Sequence, residues 1–186
     1  MSQRHAKYFV GRWTFFVGIG MSLLACNAPA VTDVGKPEAP AAIKKEGRVI
    51  SILHHESYAI CPDGSLESGL NLFDDARSWQ GFVKASAQRA PQLGEWKPNF
   101  AGSRVLVFRL GSKTSGGYSV RTVEASQNSK DNELALYVRS ARPQPGSLNT
   151  SALTAPCLVA SLASADFKSV SVIDASDGTV LGKIQQ

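Results

Sequence analysis

The sequence predicts a β-rich α+β domain: a mainly antiparallel sheet of about seven strands with one packed helix. Three observations carry that expectation. Arg104–Leu110 (RVLVFRL) is apolar at successive positions, as a strand buried on both faces must be. Glu133–Ser140 alternates, with Leu134, Leu136 and Val138 at period two. Only one stretch, Ala76 to Arg89, spaces its apolar residues (Trp79, Phe82, Val83, then the small Ser86) at helical intervals.

Taken in order, the folded part begins near Gly47. Arg48–His54 (RVISILH) is β-branched and reads as a strand, which Ser57–Ile60 continues or pairs with. Pro62-Asp63-Gly64 is a turn, and residues 65–72 carry no decisive pattern. Asp74 or Asp75 supplies a helix cap, and Pro91 closes the helical segment. Trp96, Pro98 and Phe100 lie in a loop before the central strand. Tyr118–Ala125 follows a glycine-rich turn, Asn128–Asn132 forms a hairpin loop, and residues 141–156 form a Pro/Gly loop. Cys157–Ala163 and Lys168–Asp174 are further strands. Asp177-Gly178 is a hairpin turn ahead of the returning strand Thr179–Ile184.

The N-terminus is of a different kind. Residues 1–12 carry Arg4, Lys7 and Arg12 and no acid, and the apolar run Trp13–Ala25 is shorter than the roughly 20 residues a membrane-spanning helix needs. A positive segment followed by a short apolar one is the pattern of an export signal. The run ends Leu23-Leu24-Ala25-Cys26, which resembles the lipobox of bacterial lipoproteins. The resemblance implies cleavage before Cys26 and a diacylglycerol on its thiol, so that the protein reaches the membrane through lipid. Asn27, in place of an aspartate, points to the outer rather than the inner membrane of a Gram-negative envelope. Residues 26–46 are rich in Ala and Pro and lack large hydrophobes, a composition that reads as a disordered tether. The expected organisation is therefore signal 1–25, lipidated tether 26–46 and one domain, 47–186.

Setting the signal aside removes most of the basic charge. Of 20 Lys and Arg residues, 3 lie in residues 1–25, so 17 face all 15 acids, a net +2. That gives no footing for a nucleic-acid partner. With Cys26 assigned to lipid, Cys61 and Cys157 remain, and in an oxidising compartment two thiols are natural disulfide partners; two separate buried thiols are the alternative.

The chain carries few motifs of reactive chemistry. His54-His55-Glu56 invites a metal reading, but neighbouring strand residues point to opposite faces and two further ligands would be needed. There is no G-x-S-x-G nucleophile elbow, and no Walker or Rossmann glycine pattern. Adjacent acids such as Asp74-Asp75 are more often helix caps than catalysts. The expectation is a protein that is no enzyme and needs no cofactor or metal.

The most distinctive segment is Gly111-Ser112-Lys113-Thr114-Ser115-Gly116-Gly117-Tyr118. Its glycines permit positive φ, Lys113 offers a point charge, and Tyr118 has an apolar body with a polar tip. On residue chemistry alone a tight turn with Tyr118 plugging the core is the commoner outcome; an interaction loop built on Lys113, Thr114, Gly116, Gly117 and Tyr118 is the functional one. A strand of the type VLVF followed by G-x-K-x-x-GGYS-V resembles the C-terminal domain of the PrcB family. So does the order of the downstream segments: a strand, Pro143 to Gly146, and Thr154-Ala155-Pro156 entering an apolar strand. The helix Ser78–Ala87 extends the likeness to roughly Asp75–Asp174. The family pattern K-P-T-GGY stands here as Lys113-Thr114-Ser115-GGY, and Cys157 replaces an aromatic. The resemblance implies an envelope protein that binds another protein, because the namesake is a lipoprotein that associates with a surface protease and supports its stability. It brings no catalytic residues. Two other functions are compatible with the same residues: a protease inhibitor, and a small-ligand or cell-wall binder.

Overall fold

The computed structural model describes residues 47–144, 146, 151–163 and 166–186, all within the compact unit Ala39–Gln186. The expected signal, the lipid attachment at Cys26 and the tether lie outside the described residues, as do Pro145 and residues 147–150 of the second loop.

The described residues form nine strands and one α-helix: β1 (Arg48–Ile50), β2 (Ile52–Tyr58), β3 (Ser68–Phe73), α1 (Ala76–Ser86), β4 (Ser103–Leu110), β5 (Ser119–Asn128), β6 (Glu133–Ala141), β7 (Cys157–Ala163), β8 (Ser169–Asp174) and β9 (Val180–Gln185). They form two sheets rather than one, ordered β1-β5-β6-β8-β9 and β2-β7-β4-β3. The expected single sheet of about seven strands is corrected on both counts. The Arg48–His54 run is broken at Ser51, where the chain leaves one sheet for the other: β1 pairs with β5, β2 with β7. Alternation continues across such a crossover, so it gives no local sign of the switch. β3 (SGLNLF) contains Gly and Asn, poor strand formers. It is held by its register against β4, Ser68 opposite Leu110 through Phe73 opposite Val105.

All pairs are antiparallel except β6 with β8, which run parallel. The chain leaves β6 for the other sheet, forms β7 there, and returns, so β8 enters in the same direction as β6.

The four-stranded sheet is the middle layer. In β4, Leu106 and Phe108 face the other sheet, with Leu134, Leu136, Leu158 and Val172, while Val105 and Val107 face the helix side, with Trp79, Phe82 and Leu93. Both faces of β4 are thus buried, as its unbroken apolar run requires. Asp75 caps α1: its Oδ1 accepts the N–H groups of Arg77 and Ser78 at 2.7 and 2.9 Å. The helix stops at Ser86 rather than Arg89. Ala90, 1 % exposed, is turned into the core with φ −144° and ψ 68°, because the residue before Pro91 is driven out of helical geometry. Among the described residues no helix is long and apolar enough to cross a membrane.

Candidate interaction site

Two connections cross between the sheets at the same end of the domain: β4 to β5 through residues 111–118, and β6 to β7 through 142–156. They are knitted together. Lys113 and Thr154 pair as an antiparallel bridge, Lys113 N–H to Thr154 O at 2.7 Å and Thr154 N–H to Lys113 O at 2.9 Å. The Thr154 hydroxyl also donates to Ser115 O at 3.0 Å. A third segment joins from the β2–β3 connection: Ala155 N–H donates to Ala59 O at 2.9 Å, and Ser112 N–H to Leu66 O at 2.8 Å.

Beneath this node lies the Cys61–Cys157 disulfide, both residues fully buried, with Cα atoms 4.9 Å apart. Asp63 in the turn after Cys61 holds Arg109 of β4 by an ion pair of 2.6 Å. Gly111 takes φ +78°, and a side chain there would meet Ser68 at 3.2 Å; Gly117 takes φ +85°. These two glycines are demanded by the backbone. The loop is therefore rigidly supported on several sides, and its Gly-Gly-Tyr segment is shaped by positive φ.

Tyr118 does not plug the core; it is half-buried. It lines a cavity of about 330 Å³ with Leu110, Lys113, Ser140, Arg142, Asp174, Asp177, Thr179 and Leu181. The Lys113 ammonium sits 5.9 Å from the Tyr118 ring centroid, within cation–π range. Asp174 is buried among hydrogen bonds. Burial opposes its ionisation, but donors from Ser140 and Ser176 outweigh that and hold the carboxyl below the usual range. Asp177 Oδ1 accepts the Thr179 N–H at 2.9 Å. Thr114 and Gly117 are exposed and Gly116 is buried. Around the node, Ile60, Leu66 and Leu153 stand 42, 42 and 53 % exposed.

The structure thus brings Lys113 and Tyr118 to one cavity and makes Gly116 and Gly117 the backbone that places them. Ser140, Arg142, Asp174 and Asp177 were not expected there from the sequence. They come from two other segments, the end of β6 and the end of β8 with its following turn, and nothing in their local sequence distinguishes them from ordinary turn and strand-end residues.

The histidines lie elsewhere. His54 stacks on Trp96, ring centroids 4.4 Å apart, with Nε2 3.3 Å from Glu56 Oε1. The Tyr58 hydroxyl donates to the other Glu56 oxygen. Burial and the Glu56 carboxylate push the Tyr58 hydroxyl above its ordinary pKa, so it remains a donor. His55 is exposed on the opposite face, and among the described residues no three His, Cys, Asp or Glu side chains are grouped to hold a metal. Behind Trp96, a second cavity of about 240 Å³, mostly apolar, opens between α1 and the 93–100 loop.

These features define a disulfide-braced β-sandwich domain with one helix and two interlocked crossover loops. Residues 104–163, from the start of β4 to the end of β7, match the family model described as PrcB C-terminal. Over this segment the chain is similar to the PrcB C-terminal family; the match contains both crossover loops and the strands that carry them, and is narrower than the Asp75–Asp174 likeness expected from the sequence. Searches of the curated proteins and of the solved structures return no significant match.

Proposed function

We propose that this is a membrane-anchored, non-catalytic envelope protein that binds another protein through the crossover node, and that its partner is an envelope or surface protease which it stabilises. The observation that carries this reading is the node itself. A rigid, disulfide-braced junction presents Lys113 and Tyr118 beside three exposed aliphatic residues, Ile60, Leu66 and Leu153. Exposed apolar residues grouped with an aromatic and a cation are the composition of a binding patch rather than of an idle surface. The family points the same way, since the PrcB name belongs to a protein of a protease complex. Lipid at Cys26 would hold the domain at the membrane where such a protease works.

The test is affinity capture of the lipidated protein from gently solubilised envelopes, next to a Lys113→Ala/Tyr118→Ala form shown to be folded by circular dichroism. The expected result is a protease retained by the wild type, lost by the variant, and longer-lived in the complex. Retention of the same partner by both forms would remove the loop from the interface. Lower protease activity in the complex would make the protein an inhibitor.

A further inference from the structure

The cavity beside Tyr118 has two cations whose charge is unspent. Among the described residues, neither Lys113 nor Arg142 makes an ion pair or a side-chain hydrogen bond; Lys113 has only the Tyr118 ring. The two carboxylates of the same cavity are occupied otherwise, Asp174 by Ser140 and Ser176, Asp177 by the Thr179 N–H. Leu110 and Leu181 add an apolar lining. At about 330 Å³, the space is at the small end of ligand pockets and suits one or two residues of a peptide.

We propose that this cavity receives the C-terminal residue of a partner polypeptide, its terminal carboxylate held by Lys113 and Arg142 and its side chain lying against Leu110 and Leu181. The guanidinium fork matches a carboxylate bidentately, and lysine adds a point charge. A phosphate fits the site less well, because the nearby Asp174 and Asp177 repel a dianion more strongly than a monoanion. The inference deepens the interaction reading and rests on it for the partner being a protein.

The experiment titrates the full chain with hexapeptides ending in Ala, Val, Leu, Ile or Phe. Each is made with a free C-terminal carboxylate, as the C-terminal amide, and as the amide with Glu in the last position. Backbone amide shifts of Lys113, Tyr118 and Arg142 report the site. At least one free acid should bind with a Kd below about 1 mM, and its amide should bind roughly tenfold more weakly. Arg142→Gln and Lys113→Gln should each weaken the acid several-fold while leaving the rest of the spectrum unchanged.

Three outcomes overturn the proposal. One is no shift at these amides from any acid at about 5 mM, a concentration that would fill much of a millimolar site. Another is equal binding of acid and amide, or no effect of Arg142→Gln. The third is a Glu-ended amide that binds as well as the free acid, which would show carboxylate recognition without recognition of a chain end. The interaction reading falls on a different result, failure to capture a protease, so the two fail separately.

Discussion

Lys113 and Thr154 exchange both of their backbone hydrogen bonds, at 2.7 and 2.9 Å, and so lock the β4–β5 crossover to the β6–β7 crossover. The Thr154 hydroxyl adds a third bond, to Ser115 O. Lys113 and Tyr118 owe their positions to this arrangement as much as to their own loop. Thr154→Val keeps the shape and the backbone pair but leaves Ser115 O without its donor. It should cost about 1 kcal/mol in urea unfolding, and amide exchange should accelerate across residues 112–118 more than elsewhere. Uniform acceleration would mean that the two loops are not coupled.

Gly111 permits the turn out of β4. Its φ of +78° and the 3.2 Å approach of Ser68 both exclude a side chain. Gly111→Ala should lose about 1–2 kcal/mol, mostly backbone strain, and should weaken partner capture by shifting Lys113. Unchanged stability would contradict the backbone geometry.

The Cys61–Cys157 bond closes a long loop, with 96 residues of sequence separation. The chain-entropy treatment assigns such a crosslink roughly 4–5 kcal/mol. Cys61→Ser/Cys157→Ser should therefore unfold at much lower denaturant. In the native protein neither thiol should react with an alkylating agent before reduction; labelling without reductant would show the two cysteines to be unbonded.

Two carboxyls tie strands of the five-stranded sheet together. On Glu133 a hydrogen bond from Ser171 comes first, burial opposes it, and Lys183 at 3.0 Å adds to it; the net effect lowers the pKa. On Asp174 burial is outweighed by Ser140 and Ser176. A carboxyl whose folded pKa lies below its unfolded value adds stability that is present above the unfolded pKa and is lost as pH falls through the folded one. Stability should thus be flat near neutrality and decline once pH drops below the ordinary carboxylate range. Asp174→Asn should be less stable at pH 7 yet show a shallower decline in acid. Equal slopes for variant and wild type would remove Asp174 from the account.

Leu106 lies at the centre of the inter-sheet core and is fully buried. Leu106→Ala should cost about 2–5 kcal/mol, since β5, β6 and β8 cannot collapse onto the space without breaking register. A loss below about 1 kcal/mol would mean that the site repacks.

The sequence by itself determined much of the local structure. The apolar run Val105–Phe108 within Arg104–Leu110 required a strand covered on both sides, and the structure covers it on both. A cap at Asp74 or Asp75, the hairpin over 128–132 and the Cys157–Ala163 strand were legible because caps, turns and strand alternation are local consequences of backbone hydrogen bonding and burial; the structure chose Asp75. The glycine-tyrosine segment and the Thr-Ala-Pro run were legible as motifs, and the family match spans both. Tertiary structure alone decided that Arg48–Ile50 and Ile52–Tyr58 join different sheets, that β8 lies parallel to β6, and that Arg142 and Asp177 share a cavity with Lys113. The physical reason is that alternation records which side of a strand is buried and not which strand lies beside it. Pairing is settled between segments far apart in the chain, by the fit of whole faces, and the cavity forms only where three such segments end together.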